Sequence, residues 1–330
     1  MTATESGTGT DFPSQKLTNV STSEQIDAGA TAPGKKKTTP LGLFKEMSIT
    51  VKLSALWLAF VFFGAIYAKL DGWLGGALPL KDPFFQGVDF RTGERFTSPN
   101  ESPSWSNLLG TDILSRDTFS RIVLGGWTSL IVAGTAAACG VIIGGFLGTF
   151  VGYVRGKTET VIMSIIDVIL AFPALVLLLA MVSIFKVRNL FIIAIVIGLL
   201  SVPAYTRVAR ANTLAIANRE FVHAAQAIGT KKFKILFREI IPNVLPTLLA
   251  YALVAAAFVI VVEGTLSFLG LSVQPPEPTW GNMINEGRKD IKQTIFPVLW
   301  PSLALSFTVL SLNQVGDWLQ KRGAFRSSAL

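Results

Sequence analysis

In this 330-residue sequence, the tripeptide Gly156-Lys157-Thr158 is the stretch most similar to a known nucleotide-binding motif, because it matches the end of a phosphate-binding loop. Such a loop has the spacing G-x4-G-K-[ST] and follows a strand, so that backbone N–H groups surround a phosphate. Val151 occupies the position of the first glycine, and the preceding residues have the apolar character of a membrane helix. We therefore reject this tripeptide as a nucleotide site, and we expect ATP hydrolysis to belong to another subunit.

The sequence offers little else for catalysis, because it contains one histidine, His223, and one cysteine, Cys139. An intrachain disulfide needs two cysteines, and a multi-histidine metal centre needs several histidines. We expect no catalytic residue and no metal site in this chain, which argues against a membrane-embedded enzyme. His223 is better interpreted as a surface contact or a hydrogen-bond donor.

Two acidic residues, Asp167 and Glu263, lie within apolar stretches. An aspartate at the centre of a membrane costs at least about 2.5 kcal/mol, so such side chains usually face protein or water. One interpretation makes both residues part of a transport pathway or gate. The other, which we favour, is a buried pair or a helix-end hydrogen bond that fixes packing. Pro173 predicts a kink, which is equally consistent with a gate and with a structural bend.

The elements that must position these residues are apolar helices long enough to cross a bilayer. Hydrophobic residues make up 50% of the chain and charged residues only 15%, against roughly 25% charged in an average soluble protein. A bilayer-spanning helix needs about 20 mostly apolar residues. The stretches that qualify or nearly qualify are Val51–Ala68, Trp127–Val154, Val161–Phe185, Leu190–Val208, Val244–Leu269 and Ile295–Leu312. The sequence therefore predicts an all-α polytopic membrane protein with six transmembrane helices.

The segments outside these helices indicate the topology. Residues 1–48 are rich in Ser and Thr and poor in large apolar side chains, so we expect a disordered tail. Lys35, Lys36 and Lys37 precede the first span, and the segments on that side of the membrane carry more Lys and Arg than those on the other. Basic residues favour the cytoplasmic side, which predicts that both termini are cytoplasmic.

The longest inner segment contains a candidate docking element. Ala224 and Ala225 favour a helix, and Gly229 should end it. A second amphipathic run, Phe233–Ile241, follows, and Pro242 should stop it. Small side chains let the backbone of another protein approach closely, so one interpretation is a helix-in-groove contact with a soluble partner. The other interpretation is an ordinary cytoplasmic loop without a partner.

This segment resembles the EAA loop of binding-protein-dependent ABC importer permeases, whose motif reads E-A-A-x3-G-x9-I-x-L-P. The positions that match are Ala224, Ala225, Gly229 and Pro242. The departures are His223 at the glutamate, Glu239 at the first isoleucine and Ile241 at the leucine. Glu220 lies one turn before His223 and is positioned to present a carboxylate nearby. The resemblance implies that ATPase coupling involves Glu220, His223, Ala224, Ala225, Gly229 and Pro242.

Three other stretches resemble one subfamily, the C-type permease of dipeptide, oligopeptide and nickel importers. Leu108–Leu130 is similar to its LGTDxxGRDxxSRxxxGxRxSL signature, with Ser115 for Gly and Trp127 for Arg. Asp167–Ala180 is similar to its D-x-x-x-A-F-P motif, and Glu263–Arg288 to EAxLSFLGLGxQPPxPSWGxMLxxGR. The resemblance covers about residues 105 to 317.

The resemblance implies the type I ABC importer permease fold, in which one peripheral helix accompanies a five-helix core. The implied organisation is a disordered cytoplasmic tail at 1–48, a first transmembrane helix at 49–70, an extracytoplasmic loop region at 71–126, a permease core at 127–318 with the coupling loop at 213–243, and a cytoplasmic C-terminal tail at 319–330.

The implied function is to form half of the translocation pathway for di- or oligopeptides in a bacterial inner or plasma membrane. The implied partners are a B-type permease, two cytoplasmic ATPases that bind ATP and Mg, and an extracytoplasmic binding protein. We expect no cofactor in this chain, contact with membrane lipid and no nucleic acid. The alternatives are a permease for nickel chelates or another solute of the subfamily, and a secondary transporter driven by an ion gradient, for which no convincing internal repeat is visible.

Overall fold

The computed structural model describes residues 47–74, 81–86, 97–185 and 189–328. The helices in these residues are Ile49–Trp73 (α1), Thr118–Val154 (α2), Gly156–Ala171 (α3), Ala174–Phe185 (α4), Leu190–Ala217 (α5), Glu220–Ala227 (α6), Lys232–Phe268 (α7), Trp280–Gly287 (α8) and Phe296–Ser328 (α9). The described residues contain no strand, and the predicted all-α fold is confirmed. The tail predicted at residues 1–48 lies, except for its last two residues, outside the described residues.

Five helices, α1, α2, α5, α7 and α9, are long and apolar enough to cross a membrane one by one. Helices α3 and α4 pass the same test only as a pair, and they meet at an angle of 81°. Pro173 lies between them, and Phe172 is extended with ψ 136°, because a proline disfavours the helical conformation of the preceding residue. The predicted kink is therefore confirmed, and the described chain has five spans, or six if the bent pair crosses as one.

Helix α2 begins earlier than its hydropathy indicates, at Thr118 rather than Trp127. The Asp117 carboxylate accepts a hydrogen bond from the backbone N–H of Ser120 at 2.8 Å and caps the helix. Thr118, Ser120 and Arg121 make the first turn polar, so a hydropathy scan does not register the start of the helix. The extra turns bring the start of α2 against the segment that precedes it.

Glycines hold α2 and α5 in close contact. A Cβ added at Gly144 would lie 2.6 Å from the carbonyl oxygen of Val202, and one at Gly148 would lie 2.6 Å from the Cβ of Ala209. Small residues at such a spacing allow helix backbones to approach closely in a membrane. These glycines therefore have a packing role, and α2 and α5 together form a tightly packed pair.

Pro242 does not stop a helix, so that prediction is wrong. Helix α7 passes through a π-helical turn at Leu236–Ile240 and continues into the span. Pro242 is the second residue of the regular segment after that turn, where the missing proline N–H disrupts little. Asn243 Nδ2 also donates to the carbonyl oxygen of Glu239 at 2.6 Å. The second amphipathic run is thus continuous with the membrane span.

Helices α1 and α9 pack together at one side of the bundle. The indole of Trp57 donates to Thr308 Oγ1 at 3.0 Å, and Phe307 meets the same indole edge-on at a centroid distance of 5.6 Å. Helix α9 then continues to Ser328, through the segment predicted as a C-terminal tail. These contacts attach the first span to the main bundle.

Candidate functional site

The segment between α5 and α7 folds into one short helix with a closed last turn. Helix α6 follows Arg219, whose backbone is extended at φ −85° and ψ 152°. Three backbone N–H groups close its C-terminal end, those of Ile228 to Ala224 at 3.2 Å, Gly229 to Gln226 at 3.0 Å and Thr230 to Ala225 at 3.1 Å. We call residues 218–231 the α6 loop. Its hydrogen bonds make it a compact element rather than an open loop.

A buried side chain anchors α6 to the span helices. Val222 has no exposed surface, and it belongs to one apolar cluster with Ile235, Leu236 and Ile240 of α7 and Tyr205 of α5. Each of these five side chains is at most 1% exposed. Close-packed apolar contacts transmit displacement because they compress little. A force on α6 would therefore reach α5 and α7 directly.

Gly229 ends α6 in the left-handed conformation, with φ +74°. A Cβ at this position would meet nothing within 4 Å, so space is not what requires glycine here. The requirement is conformational, because other residues adopt positive φ at a cost of about 1–2 kcal/mol. The turn that Gly229 makes separates α6 from the lysines that follow.

The α6 loop and the start of α7 present apolar side chains outward. Phe221 is 39% exposed, Ile228 81% and Phe233 67%. Lys231 and Lys232 lie between the last two and are exposed. Large apolar side chains exposed within one short stretch and bordered by lysines are typical of a surface that contacts another protein. This surface lies beside the small residues of α6.

The predicted coupling residues differ in their exposure and in whether they lie on this surface. Those exposed on α6 are Glu220, His223 and Ala224, whereas Ala225 is half-buried against the Val222 cluster. Gly229 lies at the end of the helix. Pro242 is exposed but lies in α7, beyond the π-helical turn. The α6 loop thus contains all of the predicted coupling residues except Pro242.

Asp167 of α3 is paired with an arginine of α5. Arg207 Nη2 donates to Asp167 Oδ1 at 2.5 Å, and the two side chains are 52% and 58% exposed. A second pair joins the same helices, Arg210 Nε to Glu159 Oε1 at 2.5 Å. Pro173 follows at the break between α3 and α4. The favoured interpretation of Asp167 as a member of a buried pair is wrong in one respect, because the pair that it forms is exposed. Its partner was not identified from the sequence, because Arg207 lies 40 residues away.

Glu263 is 1% exposed and lies in a hydrogen-bond network at the other end of α7. Ser267 Oγ donates to its carboxylate at 2.6 Å and Ser272 Oγ at 3.2 Å. Thr279 Oγ1 donates to Ser267 Oγ at 2.9 Å and accepts from the backbone N–H of Asn282, which caps α8. Through these bonds Glu263 holds the segment between α7 and α8.

A buried charge cluster at the end opposite the α6 loop was missed in the sequence. Arg116 is 2.6 Å from both Asp112 and Glu286, and Arg121 lies 3.4 Å and 3.6 Å from the same carboxylates. The arginine side chains are 3% and 1% exposed. The cluster fixes α8 to the segment before α2. Two of the quoted signatures contain these four residues, but the pairing of Arg116 with Glu286, 170 residues away, is not readable from spacing.

A family profile described as "Binding-protein-dependent transport system inner membrane component" matches residues 140–326. That range includes the α6 loop, both ion pairs of α3 and the Glu263 network. The match therefore covers the elements on which a functional interpretation depends.

Curated relatives cover more of the chain. The glutathione transport system permease protein GsiD of Pectobacterium atrosepticum is 37% identical over 221 residues, which are 67% of this chain and 73% of that protein. The proteins of the same name from Escherichia coli O6:K15:H31 and Shigella boydii serotype 4 are 36% identical over the same shares.

Proposed function

The chain belongs to the family of binding-protein-dependent transport system inner membrane components, and from that membership we propose that it forms one half of a membrane pathway for peptides. It is a permease subunit of an ABC importer and a multi-pass membrane protein. In the proposed complex a B-type permease supplies the other half of the pathway. An extracytoplasmic binding protein delivers the peptide, and two cytoplasmic ATPases bind ATP and Mg.

The α6 loop is the element that we propose for docking an ATPase. The observation that carries this proposal is the combination of an exposed surface of small and apolar side chains with a buried anchor at Val222. A coupling element must bind a partner on one side and move the spans on the other. Closure of the ATPases would then shift α6 with α5 and α7, and the pathway would alternate between two rigid states.

The proposed orientation places the α6 loop and both termini in the cytoplasm. The support is the distribution of basic residues, among them Arg219, Lys231, Lys232 and Lys234 around α6. The buried charge cluster of Arg116, Arg121, Asp112 and Glu286 would then lie at the extracytoplasmic end. There it would hold α8 and the segment before α2 in a fixed arrangement for contact with the binding protein.

For the substrate we propose peptides, with glutathione as the first to test. The support is the name of the relatives, which are glutathione transport system permeases and are 36–37% identical to this chain. Glutathione is a tripeptide with carboxylate and ammonium groups, so it belongs to the same chemical class as short peptides.

Reconstitution of the whole importer tests this function. The complex of both permeases, the ATPases and the binding protein is placed in lipid vesicles, and ATP turnover is measured with glutathione, alanyl-alanine or a nickel–histidine chelate. The proposal expects glutathione or the dipeptide to stimulate ATP turnover and to accumulate in the vesicle in an ATP-dependent way.

Stimulation by the nickel chelate alone would contradict the peptide assignment. Movement of solute by the two permeases without an ATPase would contradict the coupling assignment as well. The matched control is the same complex with an ATPase variant that binds but does not hydrolyse ATP, which should accumulate nothing.

A further inference from the structure

Helix α3 is held to the bundle by little apart from its ion pairs. Ile166 is its one buried residue, at 5% exposed. The pairs Asp167–Arg207 and Glu159–Arg210 connect it to α5 across 40 and 51 residues of sequence. Most of the surface of α3 is therefore available to water, to lipid or to a second permease.

One face of α3 carries a polar stripe. Thr160, Ser164 and Asp167 follow one another at helical spacing, and all three are exposed. The two hydroxyls donate to their own helix, Thr160 to the carbonyl of Gly156 at 3.3 Å and Ser164 to that of Thr160 at 2.8 Å. Asp167 is therefore the one charged residue of the stripe, and its carboxylate is the group that can bind a cation. A polar stripe on a span faces protein or water rather than lipid.

The Asp167–Arg207 pair lies toward the inner ends of its two spans. Asp167 is about 9 Å along α3 from Val161, where the apolar stretch begins, and Arg207 is one residue before Val208, where the apolar stretch of α5 ends. Both side chains are more than half exposed. Charged groups avoid hydrocarbon. The exposed half of the pair therefore faces water or a partner subunit, at the level where the inner mouth of a pathway between two permeases would open.

We propose that Asp167 and Arg207 form a transient binding site in the pathway for a substrate that carries both a carboxylate and an ammonium group. The inference rests on the proposed function, since it needs a peptide to pass between two permeases. The guanidinium of Arg207 exchanges Asp167 for the substrate carboxylate, which it contacts through two parallel N–H groups. Asp167 in turn accepts hydrogen bonds from the substrate ammonium.

The exchange explains why a charged substrate can both enter and leave. Before the substrate arrives each charge has a partner, and with the substrate bound each charge again has a partner. The two arrangements are therefore close in free energy, and binding stays weak. Conduction through a pathway needs sites that are favourable enough to enter and weak enough to leave.

A double-mutant cycle distinguishes a substrate-binding site from an ion pair that only holds α3 against α5. Uptake of glutathione and of alanyl-alanine is measured in vesicles with the whole importer for Asp167→Asn, Arg207→Gln and the double variant. Each single change removes one substrate contact but also the internal ion pair that the substrate must displace, so kcat/KM should fall by less than about tenfold. The double variant keeps neither contact, and because Asp167 and Arg207 are coupled through their ion pair, its loss should exceed the product of the two single losses.

The matched control is the Glu159→Gln, Arg210→Gln cycle on the same two helices. That pair is less exposed, with side chains at 17% and 35%, and its double variant should be no worse than the worse single. Arg207→Lys keeps the charge but loses the two parallel N–H contacts with the substrate carboxylate, so its kcat/KM should lie between those of the unchanged complex and Arg207→Gln. Co-purification of the ATPases with each variant verifies that the complex has assembled.

A double variant of Asp167 and Arg207 no worse than the worse single would overturn the binding site and leave peptide transport standing. An unchanged complex that imports neither glutathione nor the dipeptide would overturn both this site and the proposed function.

Discussion

Gly229 is the residue whose backbone conformation most restricts replacement in the α6 loop. Its φ of +74° costs other residues about 1–2 kcal/mol, and asparagine adopts this region more readily than branched residues do. We predict that Gly229→Val shifts the end of α6 and lowers ATPase binding, whereas Gly229→Asn retains most of it. Co-purification of the ATPase with the tagged permease measures the difference. Equal recovery with both variants would show that the turn does not position the docking surface.

Arg116 and Arg238 provide a contrast between a buried and an exposed ion pair. Arg116 is 3% exposed and lies 2.6 Å from Asp112 and from Glu286, whereas Arg238 is 74% exposed and lies 4.0 Å from Glu239. We predict that Arg116→Met lowers the free energy of unfolding by about 3–5 kcal/mol, because buried carboxylates lose their partner. Arg238→Met should change it by less than about 1 kcal/mol. Thermal unfolding in detergent measures both, and similar melting temperatures would contradict a stabilising cluster.

At the scale of helices, the contact between α2 and α5 depends on glycines that leave no room for a side chain. A Cβ at Gly148 would lie 2.6 Å from the Cβ of Ala209, whereas one at Gly134 would meet nothing within 4 Å. We predict that Gly148→Ala destabilises the chain by about 1–3 kcal/mol through overpacking. Gly134→Ala should be neutral or stabilising by up to about 1 kcal/mol. Their melting temperatures should move apart, and a lower value for Gly134→Ala than for Gly148→Ala would refute the packing of these helices.

Substitutions on the buried side and on the exposed side of α6 should impair transport in different ways. Val222 has no exposed surface and anchors the helix, whereas Ile228 is 81% exposed. We predict that Val222→Ala leaves the ATPase bound but lowers the substrate imported per ATP, because the helix then moves without the spans. Ile228→Ser should instead reduce ATPase recovery. Parallel measurement of recovery, ATP turnover and uptake tests this division, which would be wrong if both variants behaved alike.

For the whole molecule, hydropathy was enough to predict the spans, because an apolar run of about 20 residues is typical of a transmembrane helix. It placed the start of α2 too late, since Asp117 caps a polar first turn that the scan does not register. The prediction for Pro242 was wrong because a π-helical turn precedes the proline, and sequence patterns do not reveal such a turn. The proline therefore lies near the start of a regular helical segment, where it is tolerated. Local rules predict helices well and their exact ends poorly.

The residues of the α6 loop were recognisable because their spacing is local, with Ala224 and Gly229 five positions apart. The charge pairs were not recognisable for the opposite reason. Arg116 and Glu286 are 170 residues apart, and Arg207 and Asp167 are 40 apart. Only the packing of the bundle brings such side chains together, so their pairing needs the three-dimensional structure.

The central claim for the whole importer is that α6 is the surface an ATPase binds. The direct measurement replaces Cys139 with serine, introduces Gln226→Cys on the exposed face of α6, and attaches a photoactivatable cross-linker in native membranes. Trp105→Cys, at a position that is 98% exposed and lies in the segment before α2, is the matched control. The account predicts a cross-link from position 226 to the ATPase subunit and none from position 105. A position 226 that reacts with a membrane-impermeant reagent from outside the cell, or that never cross-links to an ATPase, would contradict it.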